Sequence, residues 1–222
     1  NYRDKANEIF EYDKSQEPWF GIEQEYFVLG KGNELMLQSN IEQGQFYCSV
    51  GVENALHRNV AEEHLLSCLR AGLHISGINA EVAPCQWEYQ IGPCDGINAG
   101  DELWISRYIL LRVAENLEVK ISFDPKPFEH LNGSGCHTNY STKEMREEGG
   151  LEKIYTAIDK LSKTHDLHMK LYGEGNEKRM SGLYETSKFD EFSFDKKRPV
   201  DRGASIRVGY ETIKNGCGYF ED

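Results

Sequence analysis

Pairs of glutamates in otherwise apolar segments are the residues of this chain best placed to do chemistry. Glu23 and Glu25 lie two residues apart in the segment FGIEQEYFVL. Because side chains alternate along a strand, both carboxylates point to the same face. Aromatic and β-branched neighbours indicate that this strand is buried, and buried carboxylates are costly unless they are paired or bound to a metal. The alternative interpretation is a solvent-exposed strand whose acids have no function.

A second acidic pair, Glu81 and Glu88, flanks Pro84 in the segment NAEVAPCQWEYQIGPC, where Gln90 lies on the same face as Glu88. Inward carboxylates from two strand pairs would form an oxygen-rich cage, and oxygen ligands favour Mg²⁺ or Mn²⁺ over softer metals. The six cysteines contain no CxxC pair, so the sequence offers no thiolate pattern for zinc. The two pairs together therefore predict a divalent-metal site.

Two further groups of residues could bind an anion. The glycines of the loop 132–135 (NGSG) let the backbone approach a ligand closely, and His137 follows the loop. A lone histidine is more often a packed core residue than a ligand. Arg179, Arg202 and Arg207 lie in Gly- and Ser-rich surroundings, and the planar guanidinium suits carboxylate and phosphate. Ordinary surface charge is the alternative for each arginine.

These residues must be positioned by a mixed fold of strands and helices. The sequence predicts a strand over 19–29, two strand segments over 78–91 joined by a tight turn at Pro84, and a strand over 119–123. Apolar stripes at helical spacing predict three amphipathic helices. Their stripes are Ala61, Leu65, Leu69 and Leu73; Ile105, Ile109, Val113 and Leu117; and Leu151, Ile154, Tyr155, Ile158 and Leu161. This pattern favours an α+β fold, an antiparallel sheet with helices on its outer face.

Composition excludes several classes of protein. The formal charge of −12, from 37 acids and 25 bases, repels phosphate backbones and argues against a nucleic-acid partner. No apolar run is long enough to cross a membrane. Asn1 opens no charged and apolar leader, and the cysteines form no disulfide framework, so the cytoplasm is the expected compartment. Residues 1–17 are predicted to form a linker helix before a domain over 18–222.

Six blocks extend these observations along almost the whole chain. In order they are WFGIEQEY, NAEVAPCQWEYQIGP, FDPKP with NGSGCHTNYSTKEMREEGG, YGEGNEK, RGASIRVG and GYFED. With them, the chain resembles the catalytic domain of eukaryotic-type glutamine synthetase from about residue 4 to residue 222. The resemblance implies a half-barrel antiparallel sheet of the guanido kinase-like type. It also implies an ATP-dependent ligase that joins ammonia to glutamate through γ-glutamyl phosphate, with two or more Mg²⁺ or Mn²⁺ ions per site.

The resemblance also assigns residues to roles in the site. The implied metal ligands are Glu25, Glu81 and Glu88 for one ion and Glu23, His137 and Glu221 for the other. The implied substrate-binding residues are Asn132, Gly133 and Arg179, and the phosphate-contacting residues are Arg202 and Arg207. The implied nucleotide-side residues are Trp19, Pro93, Asn139, Ser141, Arg146 and Tyr219. Glu185 matches a flap carboxylate that closes the site and helps to deprotonate ammonium.

The chain departs from the family's pattern at the flap. Tyr184 stands where the family usually has a histidine, and the segment between Glu185 and Arg202 is a few residues longer, so flap closure is expected to differ. The family also has a small N-terminal domain and a C-terminal block outside these residues, and its active sites form between subunits of a ring, a decamer by resemblance. The isolated 222 residues are therefore expected to be inactive.

Two alternatives to this activity stay open. An enzyme of the same fold could join glutamate to an amine other than ammonia. A catalytically silent structural relative could keep the fold alone, although such a protein has no need to maintain buried acids.

Overall fold

In the part of the chain that the structure describes, six strands form an open antiparallel sheet at the centre of the fold. The computed structural model describes residues 1–35, 42–180, 182–184, 187–188 and 191–222. The strands are β1 (Trp19–Leu29), β2 (Ile75–Ala80), β3 (Gln86–Asp95), β4 (Lys120–Ser122), β5 (Cys136–Ser141) and β6 (Phe220–Glu221). Their order is β2-β3-β1-β5-β6, with β4 paired to the far end of β1 beyond β5, and all pairs are antiparallel.

Helices fill most of the connections between these strands. They are α1 (Tyr2–Tyr12), α2 (Arg58–Arg70), α3 (Asn98–Asn116), α4 (Lys143–Arg146), α5 (Gly150–Ser162), α6 (His165–Leu171) and α7 (Tyr210–Asn215). Short 3₁₀ helices occupy Lys14–Gln16 and Asn176–Arg179. None of the helices in the described ranges is long and apolar enough to cross a bilayer.

Alternation along β1 separates a helix-covered face from a face that carries the acids. Tyr26 and Val28 pack in the main core with Val60 of α2 and Leu110 of α3. Odd-numbered positions point the other way, so Glu23 and Glu25 lie on the face that α2 and α3 leave open. The predicted α+β fold, an antiparallel sheet with helices on its outer face, is confirmed.

The predicted strands are found with adjusted limits. β1 has the predicted bounds, and β2 and β3 form the predicted hairpin around Pro84. β3 continues beyond the predicted end through Pro93 to Asp95, whereas β4 has only three residues. β5 and β6 were not predicted, because β5 is a short polar segment and β6 has two residues.

The predicted helices exist, but two of them turn a different face to the core. Leu69 of α2 is 49% exposed, and the buried residues are instead on the side of His64 and Cys68. In α3, Ile105 is exposed and Leu110 is buried. A strict spacing of four drifts around a helix of 3.6 residues per turn, so these stripes do not follow one face. The stripe of α5 is confirmed by its packing in a second core cluster.

Candidate functional site

The register of the sheet brings the predicted acidic residues together. Glu25 of β1 is directly opposite Glu88 of β3. On the other side of β1, Glu23 is directly opposite His137 of β5. Asn139, two residues further along β5, is opposite Glu221 of β6. Four strands therefore supply the site, and each side chain points to the open face.

The first cluster contains Glu25, Glu81 and Glu88. One carboxylate oxygen from each lies within 4.8 Å of the other two, and Glu25 and Glu88 are each only 7% exposed. None of the three forms an ion pair with a residue in the part of the chain that the structure describes. Three close carboxylates without a neutralising base suit a hard divalent cation.

Hydrogen bonds hold each of these carboxylates in place. Glu25 Oε2 accepts from Gln86 Nε2 at 3.0 Å and from the Gly135 amide at 2.9 Å. Glu81 accepts from Asn79 Nδ2 at 3.1 Å and from the amide of the following residue at 3.2 Å. Gln90 donates to Glu88. Such outer hydrogen bonds orient metal ligands, so the cluster is already arranged to receive an ion.

Burial and mutual repulsion change the protonation of this cluster. Burial, followed by the charges of the neighbouring glutamates, raises the pKa of Glu88 to about 8. Burial and the charge of Glu25 raise the pKa of Glu81 to about 7. In the absence of a cation, part of the cluster therefore holds protons near neutral pH.

The second cluster contains Glu23, His137 and Glu221, with ligand atoms within 4.8 Å of one another. His137 Nδ1 is 3.6 Å from Glu23 Oε2 and 3.2 Å from Glu221 Oε1. Arg207 donates to Glu221, and its Nη2 is 3.4 Å from His137 Nδ1. Arg207 was predicted to contact phosphate, and in this structure its guanidinium contacts a predicted metal ligand.

The residues of the second cluster shift one another's pKa values. Burial lowers the pKa of His137, but hydrogen bonds to Glu221 and Glu23 outweigh it and raise that pKa to about 10. Burial raises the pKa of Glu23, but hydrogen bonds from His137 and Asn139 outweigh it and leave that pKa lowered. The imidazolium thus offsets the charge of both acids, and it must lose its proton before the ring nitrogen can bind a metal ion.

One cavity of about 340 Å³ contains both clusters. Its lining also includes the residues predicted to hold a substrate or phosphate: Asn132, Gly133, Arg179, Arg202 and Arg207. A side chain at Gly133 would place its Cβ 3.0 Å from the carbonyl oxygen of Pro125, so this carbonyl would have to move by a few tenths of an ångström to admit a larger residue. Lys126 from the same segment is buried and donates to the carbonyl of Leu183 at 2.7 Å, beside the predicted flap.

A second cavity of about 480 Å³ adjoins the first. All six predicted nucleotide-side residues line it: Trp19, Pro93, Asn139, Ser141, Arg146 and Tyr219. The guanidinium carbon of Arg146 lies 3.9 Å from the centre of the Trp19 ring, and its Nη1 donates to Ser141 Oγ at 3.0 Å. Glu23 lines both cavities, and Asn139 donates to it at 2.7 Å, so the two spaces meet at this carboxylate.

Some site residues fall outside the prediction or outside the described chain. Glu185 lies outside the described residues, although Tyr184 before it lines the first cavity. Sequence reasoning missed Gln86, which donates both to Glu25 and to the Gly133 carbonyl at 2.8 Å. The two-residue period that links Gln86 to Glu88 was the signal that could have found it.

Comparison with known proteins agrees with this architecture. The family described as glutamine synthetase, catalytic domain, matches residues 3–165. Glutamine synthetase of Candida glabrata is 50% identical over 227 residues, covering 100% of this chain and 60% of that protein. The chloroplastic glutamine synthetase of Oryza sativa subsp. japonica is 50% identical over 230 residues, covering 100% of this chain and 53% of that protein.

Structural similarity supports the fold. A cryo-EM structure of Plasmodium falciparum glutamine synthetase shares it with a TM-score of 0.75 at 15% sequence identity, covering 99% of this chain and 50% of that one. This chain spans about three fifths of the length of the curated yeast relative. The match to the catalytic-domain family over residues 3–165 shows that the chain belongs to the glutamine synthetase family.

Proposed function

We propose that the complete protein joins ammonia to glutamate at the expense of ATP, releasing glutamine, ADP and phosphate. The observation that carries this proposal is the cluster of Glu25, Glu81 and Glu88, which lines a cavity beside a second cluster that includes His137. Membership of the glutamine synthetase family supports this reaction.

The donor sets fit hard divalent cations. Glu25, Glu81 and Glu88 would hold one Mg²⁺ or Mn²⁺, and Glu23, His137 and Glu221 would hold a second. The first set contains only carboxylate oxygens, and each carboxylate is oriented by a hydrogen bond from a protein amide. When bound, these ions supply positive charge against phosphoryl oxygens.

The two cavities suit the two larger substrates. The Trp19 ring and the Arg146 guanidinium offer an aromatic and cationic wall to a nucleotide in the second cavity. Its phosphates would extend past Glu23, where the two cavities meet. Asn132, Gly133 and Arg179 in the first cavity would hold glutamate, with Arg179 on a carboxylate.

The proposed reaction has two steps. In the first, a side-chain carboxylate oxygen of glutamate attacks the γ-phosphorus of ATP and ADP leaves. In the second, ammonia attacks the acyl carbon of γ-glutamyl phosphate and phosphate leaves. Arg202 and Arg207 offset the charge of the phosphoryl group as it moves. We propose that the flap with Glu185 excludes water and takes a proton from ammonium.

A matched pair of substitutions tests this proposal. In the complete protein, Glu88→Ala is expected to remove one bound Mn²⁺ and to lower glutamine formation by at least ~100-fold. Glu63→Ala removes the same group from the exposed surface of α2, and its activity is expected to stay within about twofold of the unmodified protein. Equal activity of the two variants contradicts the assignment.

The same assay separates the alternatives. Product analysis with ammonia and a panel of primary amines distinguishes glutamine formation from ligation of another amine. Failure of the complete protein to bind either Mn²⁺ or ATP would favour a catalytically silent relative.

We also propose that the complete protein assembles as a homo-oligomeric ring, a decamer, and acts in the cytoplasm. Family membership supports the ring, and light scattering of the complete protein tests its mass. The cysteines contain no CxxC pair and no tight framework, which supports a reducing compartment. Fractionation of cells tests the location.

A further inference from the structure

A third group of potential metal ligands lies outside the site described above. It consists of His74 between α2 and β2, Cys94 near the end of β3, and Glu102 in α3. One ligand atom from each residue lies within 4.8 Å of the other two. We propose that these three residues bind Zn²⁺ or another thiophilic divalent cation. This site is independent of the proposed ligase activity.

The spacing is close to what a tetrahedral ion requires. Metal–ligand bonds of about 2.0 Å to nitrogen and oxygen and about 2.3 Å to sulfur place neighbouring ligands roughly 3.3 to 3.6 Å apart. His74 Nδ1 is 2.7 Å from Glu102 Oε1, so this pair would open by about half an ångström to admit the ion. The other carboxylate oxygen, Oε2, accepts from the His74 amide at 2.8 Å and keeps Glu102 oriented.

The donor types distinguish this group from the two acidic clusters. Sulfur, imidazole nitrogen and one carboxylate oxygen form a mixed set that suits zinc or cobalt better than magnesium. Three protein ligands leave a fourth position for water. The sequence shows no thiolate pattern because the three residues are far apart in the chain. The packing of α3 against β3 and α2 brings Glu102 close to Cys94 and to His74 in the segment after α2.

Two of the three residues are mostly buried, and the third is exposed to solvent. Cys94 is 4% exposed and Glu102 has 13% of its side chain exposed, whereas 67% of the His74 side chain is exposed. An ion can therefore arrive from solvent past the imidazole and reach two ligands whose side chains are mostly buried.

Binding must displace one proton from the Cys94 thiol to solvent. Burial and the neighbouring Glu102 raise the pKa of this thiol to about 12, so loss of the proton costs free energy that the metal–sulfur bond must offset.

The bound ion would also lie close to the second cavity. The Gly92 amide donates to the His74 carbonyl at 2.7 Å, and Pro93, the next residue, lines that cavity.

Cobalt provides a direct test because a thiolate–cobalt bond absorbs in the near ultraviolet. The complete protein is first saturated with Mg²⁺ to fill the acidic clusters, and Co²⁺ is then added. We expect a thiolate-to-cobalt charge-transfer band with one Co²⁺ per chain, and its loss when excess Zn²⁺ is added. Carboxylate and imidazole ligands alone give no such band.

Two substitutions assign the band to this group. Cys94→Ser is expected to abolish it, and His74→Ala, at a largely exposed side chain, to weaken Co²⁺ binding by at least ~10-fold without affecting the fold. Cys136→Ser is the matched control, because Cys136 is a thiol that directly precedes His137 at the acidic site. Absence of the band, its survival in Cys94→Ser, its loss in Cys136→Ser, or unchanged affinity in His74→Ala would each overturn the proposal.

Discussion

Glu25 and Glu88 lie directly opposite each other in the antiparallel pairing of β1 with β3, and both are buried. Like charges in such a pair are destabilising, and Glu81 adds a third carboxylate to the same place. The fold therefore maintains a concentration of negative charge that only protons or a cation can relieve. We therefore expect the stability of the protein to depend on pH and on divalent cations.

The metal-free protein is expected to lose stability as pH rises from 6.5 to 8. In this window the Glu88 carboxyl of the unfolded chain has lost its proton, while the folded one, with its pKa raised to about 8, retains it. Unfolding then releases a proton, so each pH unit costs up to about 1.4 kcal/mol for this group. Thermal unfolding in the presence of a chelator, measured across this window, should show a falling Tm that added Mg²⁺ restores.

Other groups bear on the same measurement. Glu81 and His137, with pKa values raised to about 7 and about 10, contribute slopes of the same sign above pH 6.5. His64, whose pKa burial lowers to about 4, acts in the opposite direction but only below 6.5. Glu88→Gln should therefore reduce the slope without abolishing it. A slope equal to that of the unmodified protein would show that Glu88 does not carry this charge.

Gln86 is expected to couple the cluster of Glu25, Glu81 and Glu88 to the proposed substrate loop around Gly133. Its amide donates to Glu25 and to the Gly133 carbonyl, and Met at this position keeps the volume but donates to neither. Gln86→Met should weaken Mn²⁺ binding by roughly 10- to 100-fold and raise the KM for glutamate. Calorimetric titration with Mn²⁺ and steady-state kinetics measure both effects. Gln16→Met, in an exposed 3₁₀ helix, is the control, and equal Mn²⁺ affinities of the two variants would refute the coupling.

Much of the acidic cluster on β1 and the β2–β3 hairpin could be predicted because its signal is local. Glu23 and Glu25 share one strand, and the hairpin that carries Glu81 and Glu88 has alternation and a proline turn within one short segment. A single strand pairing, that of β1 with β3, then brings the glutamates of these two segments together.

Other parts of the site and the fold could not be predicted from local patterns, because they depend on contacts between residues that are distant in the sequence. His137 becomes part of the site only because β5 pairs with β1 in one register, and a lone histidine carries no sign of that pairing. Glu221 lies in a two-residue strand, and only the family resemblance reached it. The rotated faces of α2 and α3 follow from packing against the sheet, which a stripe of spaced leucines does not specify.

Arg146 is expected to support nucleotide binding by its shape as well as by its charge. Its guanidinium lies over Trp19 and donates to Ser141 and to the Glu17 carbonyl. A lysine keeps the charge but lacks the planar group that makes these contacts together. Arg146→Lys should weaken ATP binding by about tenfold, equivalent to ~1.4 kcal/mol, and leave the KM for glutamate unchanged. Arg112→Lys, on the exposed side of α3, should bind ATP normally. Unaltered ATP affinity in Arg146→Lys would remove this residue from the nucleotide site.

Two adjacent leucines of α3 test which face of this helix holds the fold together. Leu110 is 0% exposed in the main core and Leu111 is 44% exposed, so the same deletion has different consequences at the two positions. Leu110→Ala leaves a cavity between α3 and the sheet and should cost about 2 to 5 kcal/mol of unfolding free energy. Leu111→Ala should cost less than about 1 kcal/mol, because solvent already reaches its side chain. Chemical denaturation of the complete protein compares the two, and similar losses would mean that the helix presents a different face to the sheet.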